Sequence, residues 1–146
     1  MSASTVYSPD PCCCASTPLL SSLRLAGGGG RLHGFPQGWY LWRNQIDPLV
    51  TAGYRVAVPD LRGYGGSSKP QQVEAYAAAN ICQDVVSLAK KLGQEKFLLV
   101  GHDFGCYMAW RTAAFFPENV RAVVGLDVAY GTARQTSVDT SSGTRS

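Results

Sequence analysis

Phe97-Leu98-Leu99-Val100-Gly101-His102-Asp103-Phe104-Gly105-Cys106 is the stretch that decides the fold. An apolar run of buried-strand length leads into a tight Gly-x-Asp-x-Gly turn. A helix-like stretch, Cys106 to Phe116, follows and stops at Pro117. Strand, turn and helix in that order place Asp103 at the tip of a sharp bend. Gly101 and Gly105, two positions either side, carry no side chain, so strand and helix can approach closely there. An aspartate in an ordinary surface turn is the plainer reading, but the strand before it and the helix after it favour an elbow that lifts a side chain into a cleft.

A carboxylate held there is a candidate nucleophile. It attacks an electrophilic carbon and leaves an alkyl ester on the protein, which water must then cleave. Epoxide rings and carbon–halogen bonds suit such an attack. The residue after the nucleophile, Phe104, opens the helix, so its N–H is free to face the site.

Working outward, strand and helix patterns alternate. Residues 39–51 place Leu41, Trp42, Ile46, Leu49 and Val50 at roughly helical spacing, ended by Gly53. Tyr54 to Val58 is a short strand, and 61–72 is a Gly/Ser-rich loop. Residues 76–92 set Ile81, Val85, Leu88 and Leu92 on one helical face, with Gly93 as the stop. Val120 to Leu126 is a further buried-type strand. This alternation predicts an α/β fold, a mostly parallel sheet flanked by helices.

Two upstream motifs extend the argument. One is His33-Gly34-Phe35-Pro36 followed by Trp39-Tyr40-Leu41-Trp42-Arg43. The other is Pro59-Asp60-Leu61-Arg62-Gly63-Tyr64-Gly65-Gly66-Ser67-Ser68. With Gly101-His102-Asp103-Phe104-Gly105, and in this order, they resemble the α/β-hydrolase fold family and, within it, the epoxide hydrolases. The resemblance covers roughly Leu32 to Tyr130. The chain departs at Phe104, where the family usually has tryptophan; an aromatic ring is kept and an indole N–H is lost.

The resemblance implies a partial α/β-hydrolase domain over 32–130 and a function, hydrolysis of epoxides to diols through an aspartyl alkyl ester. Asp103 would be the nucleophile, the N–H groups of Phe35 and Phe104 the oxyanion hole, and Pro36 and Trp39 part of the substrate pocket. Pro36 is a candidate for a cis peptide bond. His33, Gly34, Gly101, His102, Gly105, Asp60 and Arg62 would be structural, with Asp60 satisfying the Arg62-Gly63 loop. Asp127, at the end of a strand, is a candidate for the acid that orients a base, and otherwise a loop carboxylate. The family's histidine base, its cap domain and two cap tyrosines would lie downstream of residue 146, so the chain is expected to be truncated and without turnover. The only histidines are His33 and His102, both within motif turns. No metal or cofactor is implied.

Two alternatives stay open. A haloalkane or haloacid dehalogenase shares the elbow, although Phe35 stands where many haloalkane dehalogenases carry a halide-binding asparagine. A non-catalytic partner docking on a full-length homologue through an unfinished sheet edge is the other.

The centre of the sheet is where the pattern is weakest. The resemblance places the strand before His33 between the other two, yet the residues there are Gly27-Gly28-Gly29-Gly30-Arg31-Leu32. Glycines are poor strand formers and bring nothing to pack. The family's antiparallel N-terminal strands have no visible counterpart. Segment 1–31, rich in Ser, Pro, Cys and Gly, is expected to be disordered, as is the Ser/Thr-rich tail 131–146.

Composition excludes several classes. A net charge of +3 is too small and dispersed for a nucleic-acid surface, and no apolar run approaches a membrane span. Cys12-Cys13-Cys14 is a run rather than ligand spacing, and five cysteines, an odd number, suit a reducing compartment. The cytoplasm is the expected location, with organelle targeting by the acid-poor N terminus as the alternative. The expected partner is a small-molecule substrate, an epoxide or organohalide.

Overall fold

The computed structural model describes residues 5–7 and 28–129. Five strands, β1 (Thr5–Tyr7), β2 (Gly28–Leu32), β3 (Arg55–Val58), β4 (Phe97–His102) and β5 (Val120–Leu126), form one sheet in the order β1-β3-β2-β4-β5. Strands β3, β2, β4 and β5 run parallel, and β1 adds antiparallel to β3 with Thr5 opposite Val58. Three α-helices, α1 (Arg43–Thr51), α2 (Ala78–Lys91) and α3 (Phe104–Phe115), make the crossovers.

The helices divide between the two faces because strand side chains alternate. Val56 and Val58 pack with Trp42, Ile46 and Val50 of the α1 layer. Leu32, Phe97 and Leu99 meet Ile81, Val85 and Val86 of α2 and Met108 and Ala109 of α3 on the other face. Ile46 and Val50 are four apart, as are Ile81 and Val85, which puts each pair on one helical stripe. A 3-10 turn at Trp39–Trp42 leads into α1, and Gly53 at φ +87° ends it. At the end of α2, Lys90 and Lys91 complement the negative end of the helix dipole, and Gly93 at φ +73° turns the chain out.

Two expectations are corrected. The glycine run is the central strand: Gly28–Gly30 pair with Arg55–Ala57 on one side, and Gly28–Leu32 with Phe97–Gly101 on the other. A ladder uses only backbone N–H and C=O groups, so glycine forfeits packing and chain entropy, about 0.5–1 kcal/mol each, but not the hydrogen bonds. The apolar strands on both sides supply the register. Ordered strand therefore occupies 5–7 and 28–31, within the segment expected to be disordered, and β1 is an antiparallel N-terminal strand that the sequence did not reveal. Cys12-Cys13-Cys14, Tyr130 and the tail 131–146 lie outside the described residues. Among the described residues no helix is long and apolar enough to cross a membrane.

Three polar ties hold the loops at the carboxyl ends of the strands. His33 is fully buried; its Nδ1 lies 2.9 Å from Gly34 O, and its Nε2 accepts the Leu61 N–H at 2.9 Å. With Nε2 accepting, Nδ1 carries the proton, so the ring is neutral. Asp60 accepts the Trp39 N–H at 2.9 Å and the Gly66 N–H at 3.1 Å. Asp60 thus satisfies the loop that contains Arg62 and Gly63, but at Gly66 rather than at either of those two residues. Arg62 turns instead to α2, where it forms a bidentate pair with Asp84 at 2.8 and 2.7 Å. Asp84 raises the Arg62 pKa, chiefly through this hydrogen bond. Both partners are partly in solvent, so the pair contributes no more than about 1 kcal/mol.

Burial is the main cause holding the His33 pKa below its ordinary value of 6.5, ahead of the opposing pull of the Gly34 carbonyl and Asp60. The unfolded chain therefore binds this proton more readily than the folded one. Stability should be full above pH 6.5 and fall as the pH drops below it, and His33→Gln should flatten that part of the curve, measured by urea denaturation. A second prediction concerns close packing. A Cβ at Gly105 would lie 2.3 Å from Leu32 O, whereas one at Gly66 meets nothing within 4 Å. Gly105→Ala should cost about 3 kcal/mol or more and Gly66→Ala less than about 0.5 kcal/mol by the same measurement.

Candidate active site

Asp103 sits between β4 and α3 with φ 52° and ψ −122°. A side chain crowds the backbone in this region, which costs a non-glycine residue about 1–3 kcal/mol and persists only where surroundings enforce it. The surroundings are visible. A Cβ at Gly101 would lie 2.4 Å from Gly105 O, and one at Gly105 would lie 2.6 Å from His33 O. Strand, turn and helix are in backbone contact, so both glycines of the motif are sterically required. The Asp103 N–H donates to Leu126 O at 3.2 Å, and its carbonyl accepts the N–H groups of Cys106 at 2.9 Å and Tyr107 at 3.2 Å. The main chain is thereby tied to β5 and to the first turn of α3, and the side chain stays half-exposed.

The loop after β2 closes over the elbow. A Cβ at Gly34 would lie 2.7 Å from Asp103 Cβ, so only glycine lets the two turns meet. The Phe35–Pro36 peptide bond is cis, and the Gln37 N–H donates to Gly34 O at 3.0 Å. Phe35 is 66% exposed and Pro36 is exposed beside it, so the loop presents an apolar surface to solvent. No hydrogen bond engages the N–H of Phe35 or of Phe104 among the described residues. Trp39 is half-buried; its ring meets Tyr40 edge-on at 5.6 Å, and its backbone is held by Asp60.

His102 shares the α1 face of β4 with Val100, by strand alternation, and its Nδ1 is buried with no hydrogen-bond partner. Asp127 follows the last residue of β5, whose Leu126 lies opposite His102. It is exposed, at φ 82°, and makes no hydrogen bond among the described residues. The fold thus brings Gly34, Phe35, Asp103 and Phe104 together, sets Asp127 at the end of the adjacent strand, and uses His33, Asp60 and Arg62 as loop ties.

Two neighbours of the carboxylate were not singled out from sequence. Tyr64 packs edge-on against His33 at 4.8 Å, and burial first, then the Asp103 charge, raise its hydroxyl pKa. Tyr64 therefore stays protonated beside Asp103. Gln37 has a buried Oε1 without a partner, 2.8 Å from where a Gly34 Cβ would stand. Tyr64 lay inside a quoted motif, but only the tertiary packing of two loops brings it to the elbow. Gln37 had no local signal beyond its place after Pro36.

Residues 32–143 match the family model described as the alpha/beta hydrolase fold. The bifunctional epoxide hydrolase 2 of Sus scrofa is 44% identical over 98 residues, covering 67% of this chain and 18% of that protein. Epoxide hydrolase 3 of Siraitia grosvenorii is 46% identical over 99 residues, 68% of this chain and 31% of that one. Among solved structures, epoxide hydrolase A from Mycobacterium thermoresistibile superposes with a TM-score of 0.73 at 43% identity, over 75% of this chain and 34% of that one. The chain spans a third or less of the length of the two curated relatives. With the elbow, the loop over it and the parallel sheet beneath them, these similarities establish that the chain belongs to the α/β-hydrolase fold family and is epoxide hydrolase-like.

Proposed function

We propose that the site carries out the first half of epoxide hydrolysis, with Asp103 as nucleophile. One carboxylate oxygen of Asp103 bonds to an epoxide carbon, that carbon's bond to the ring oxygen breaks, and the oxygen, still bonded to the second carbon as an alkoxide, takes a proton from water. The product is a hydroxyalkyl ester of Asp103. The N–H groups of Phe35 and Phe104 hold the other carboxylate oxygen during attack and would stabilise the tetrahedral anion during ester hydrolysis. Phe35, Pro36 and Trp39 contribute the apolar side of the pocket. The observation that carries this reading is the strained backbone of Asp103, half-exposed under the Gly34-Phe35 loop, in a chain similar to epoxide hydrolases.

Ester hydrolysis requires a general base to activate water. His33 does not serve, since both ring nitrogens are committed to backbone groups in a buried loop. His102 lies on the α1 face of its strand rather than at the elbow tip. In this reading the chain by itself alkylates once and retains the ester. Organohalides are the competing electrophiles at the same carboxylate. A second reading has its own support: β5 ends the sheet among the described residues and leaves Val124 52% and Leu126 44% exposed. A homologous chain supplying the next strand would cover that edge, with a non-catalytic role for this one.

Intact-mass measurement after incubation with styrene oxide should show one added epoxide mass on Asp103, absent in Asp103→Ala, with no more than one diol per chain. Catalytic diol release that Asp103→Ala abolishes would overturn the single-turnover reading. Absence of any adduct would overturn the nucleophile assignment, and halide release without epoxide alkylation would move the chain to the dehalogenases. For the second reading, light scattering after size exclusion with a full-length homologue should show a stable complex, reduced by Leu126→Lys.

A further inference from the structure

Among the described residues β5 is an edge of the sheet, and it is the longer of the two edges: it has seven residues and β1 has three. Natural edge strands are commonly blunted by proline, by charge or by short length, because their unpaired N–H and C=O groups are a template for another strand. Between Ala122 and Leu126 β5 carries neither proline nor charge.

The backbone decides which groups a new strand would meet. Leu126 turns its carbonyl to β4, where it accepts the Asp103 N–H at 3.2 Å. By alternation Ala122 and Val124 also bond toward β4, while Val123 and Gly125 present N–H and C=O to the open side. Arg121 has no partner on β4, because the register there steps from Val120 to Ala122. Outward residues can exchange hydrogen bonds only with outward residues of a partner strand.

Charge then selects one register. Arg121 on β5 and Asp127 just past it are both exposed, and neither forms an ion pair among the described residues. Let a second β5 run antiparallel to the first with Val124 on a twofold axis. Arg121 of each copy then stands opposite Asp127 of the other, and outward Val123 stands opposite outward Gly125. The two Val124 side chains meet as a non-hydrogen-bonded pair, the closer of the two kinds, and Leu126 meets Ala122 on the same face. Val124 and Leu126 are the apolar residues that the edge leaves 52% and 44% exposed. Moving the axis to Val123 or Gly125 sets Arg121 opposite Gly125 or Ala129 and loses both charge pairs.

We propose that two copies of this chain join through β5 in the register centred on Val124, forming one continuous sheet across a twofold axis. The proposal rests on the open edge that supports the second functional reading, names the chain itself as the occupant, and is independent of the chemistry of Asp103.

The test is sedimentation equilibrium of the whole chain over a range of concentrations. The mass should rise toward twice the 15.6 kDa of one chain. Arg121→Asp alone and Asp127→Arg alone each set like charges opposite one another at two places, and each should weaken the dimer about tenfold or more. An equimolar mixture of these two variants restores opposite charges at both places and should associate as the unaltered chain does. Val124→Lys, which sets two ammonium groups on the axis, should abolish association. All three positions are exposed, so circular dichroism of each variant should match the unaltered chain. A monomer at every concentration would overturn the proposal; if that monomer still binds a full-length homologue, the second functional reading stands without it. A dimer unmoved by the charge reversals, or a mixture of the two variants that stays monomeric, would overturn it too. So would a monomer whose Val123 and Gly125 amides are protected from hydrogen exchange, since the chain would then cover its own edge.

Discussion

The backbone contact between the start of α3 and the carboxyl end of β2 is the constraint on which the rest of the site depends. Gly105 lies so close to Leu32 O and His33 O that no side chain fits between them. That approach aims α3 at the loop over the elbow and leaves the chain only one residue in which to turn from strand to helix. Asp103 takes the turn and holds an unfavourable backbone as a result. Gly101 relieves the same crowding from the strand side, and Gly34 relieves it from above. The half-exposed carboxylate, the unengaged N–H of Phe104 and the neighbouring loop therefore share one steric cause. The aromatic ring that follows Asp103 is a secondary feature, and phenylalanine at this position keeps the backbone arrangement intact.

A second layer of order comes from buried polar groups that serve loops. The neutral His33 ring bridges its own turn to Leu61, and Asp60 gathers the N–H groups of Trp39 and Gly66. Gly38 and Gly65 stand where a Cβ would collide with the Asp60 carboxylate, which explains glycine at both positions. These ties hold the Phe35 loop and the Tyr64 loop on either side of Asp103. They show how buried residues that do not touch the Asp103 carboxylate still set the loops around it. They also remove His33 from the pool of bases, since a ring donating and accepting to buried backbone cannot move a proton without breaking the loop.

The central strand separates two requirements that usually coincide. Strand pairing needs backbone groups and neighbours in register, and β2 has both. Core filling needs side chains, and Gly28 and Gly30 supply none. The sheet closes across its centre while a gap persists under α2. The gap lies along β2 under α2, and Asp103 follows the carboxyl end of the neighbouring strand β4.

The sequence by itself determined the helices, the apolar strands and the turn at the elbow. Helical spacing in residues 39–51 and 76–92, the apolar runs 97–100 and 120–126, and glycines two positions either side of Asp103 are local patterns that read directly into local structure. Tertiary structure alone decided three things. It made a strand of the glycines, because neighbours on both sides imposed the ladder that local propensity opposes. It turned Arg62 toward Asp84 and Asp60 toward Trp39, because hydrogen-bond partners 21 and 22 residues apart are chosen by packing and not by spacing. And it brought Tyr64 and Gln37 beside the carboxylate, because proximity across loops arises only once the sheet has set where those loops begin.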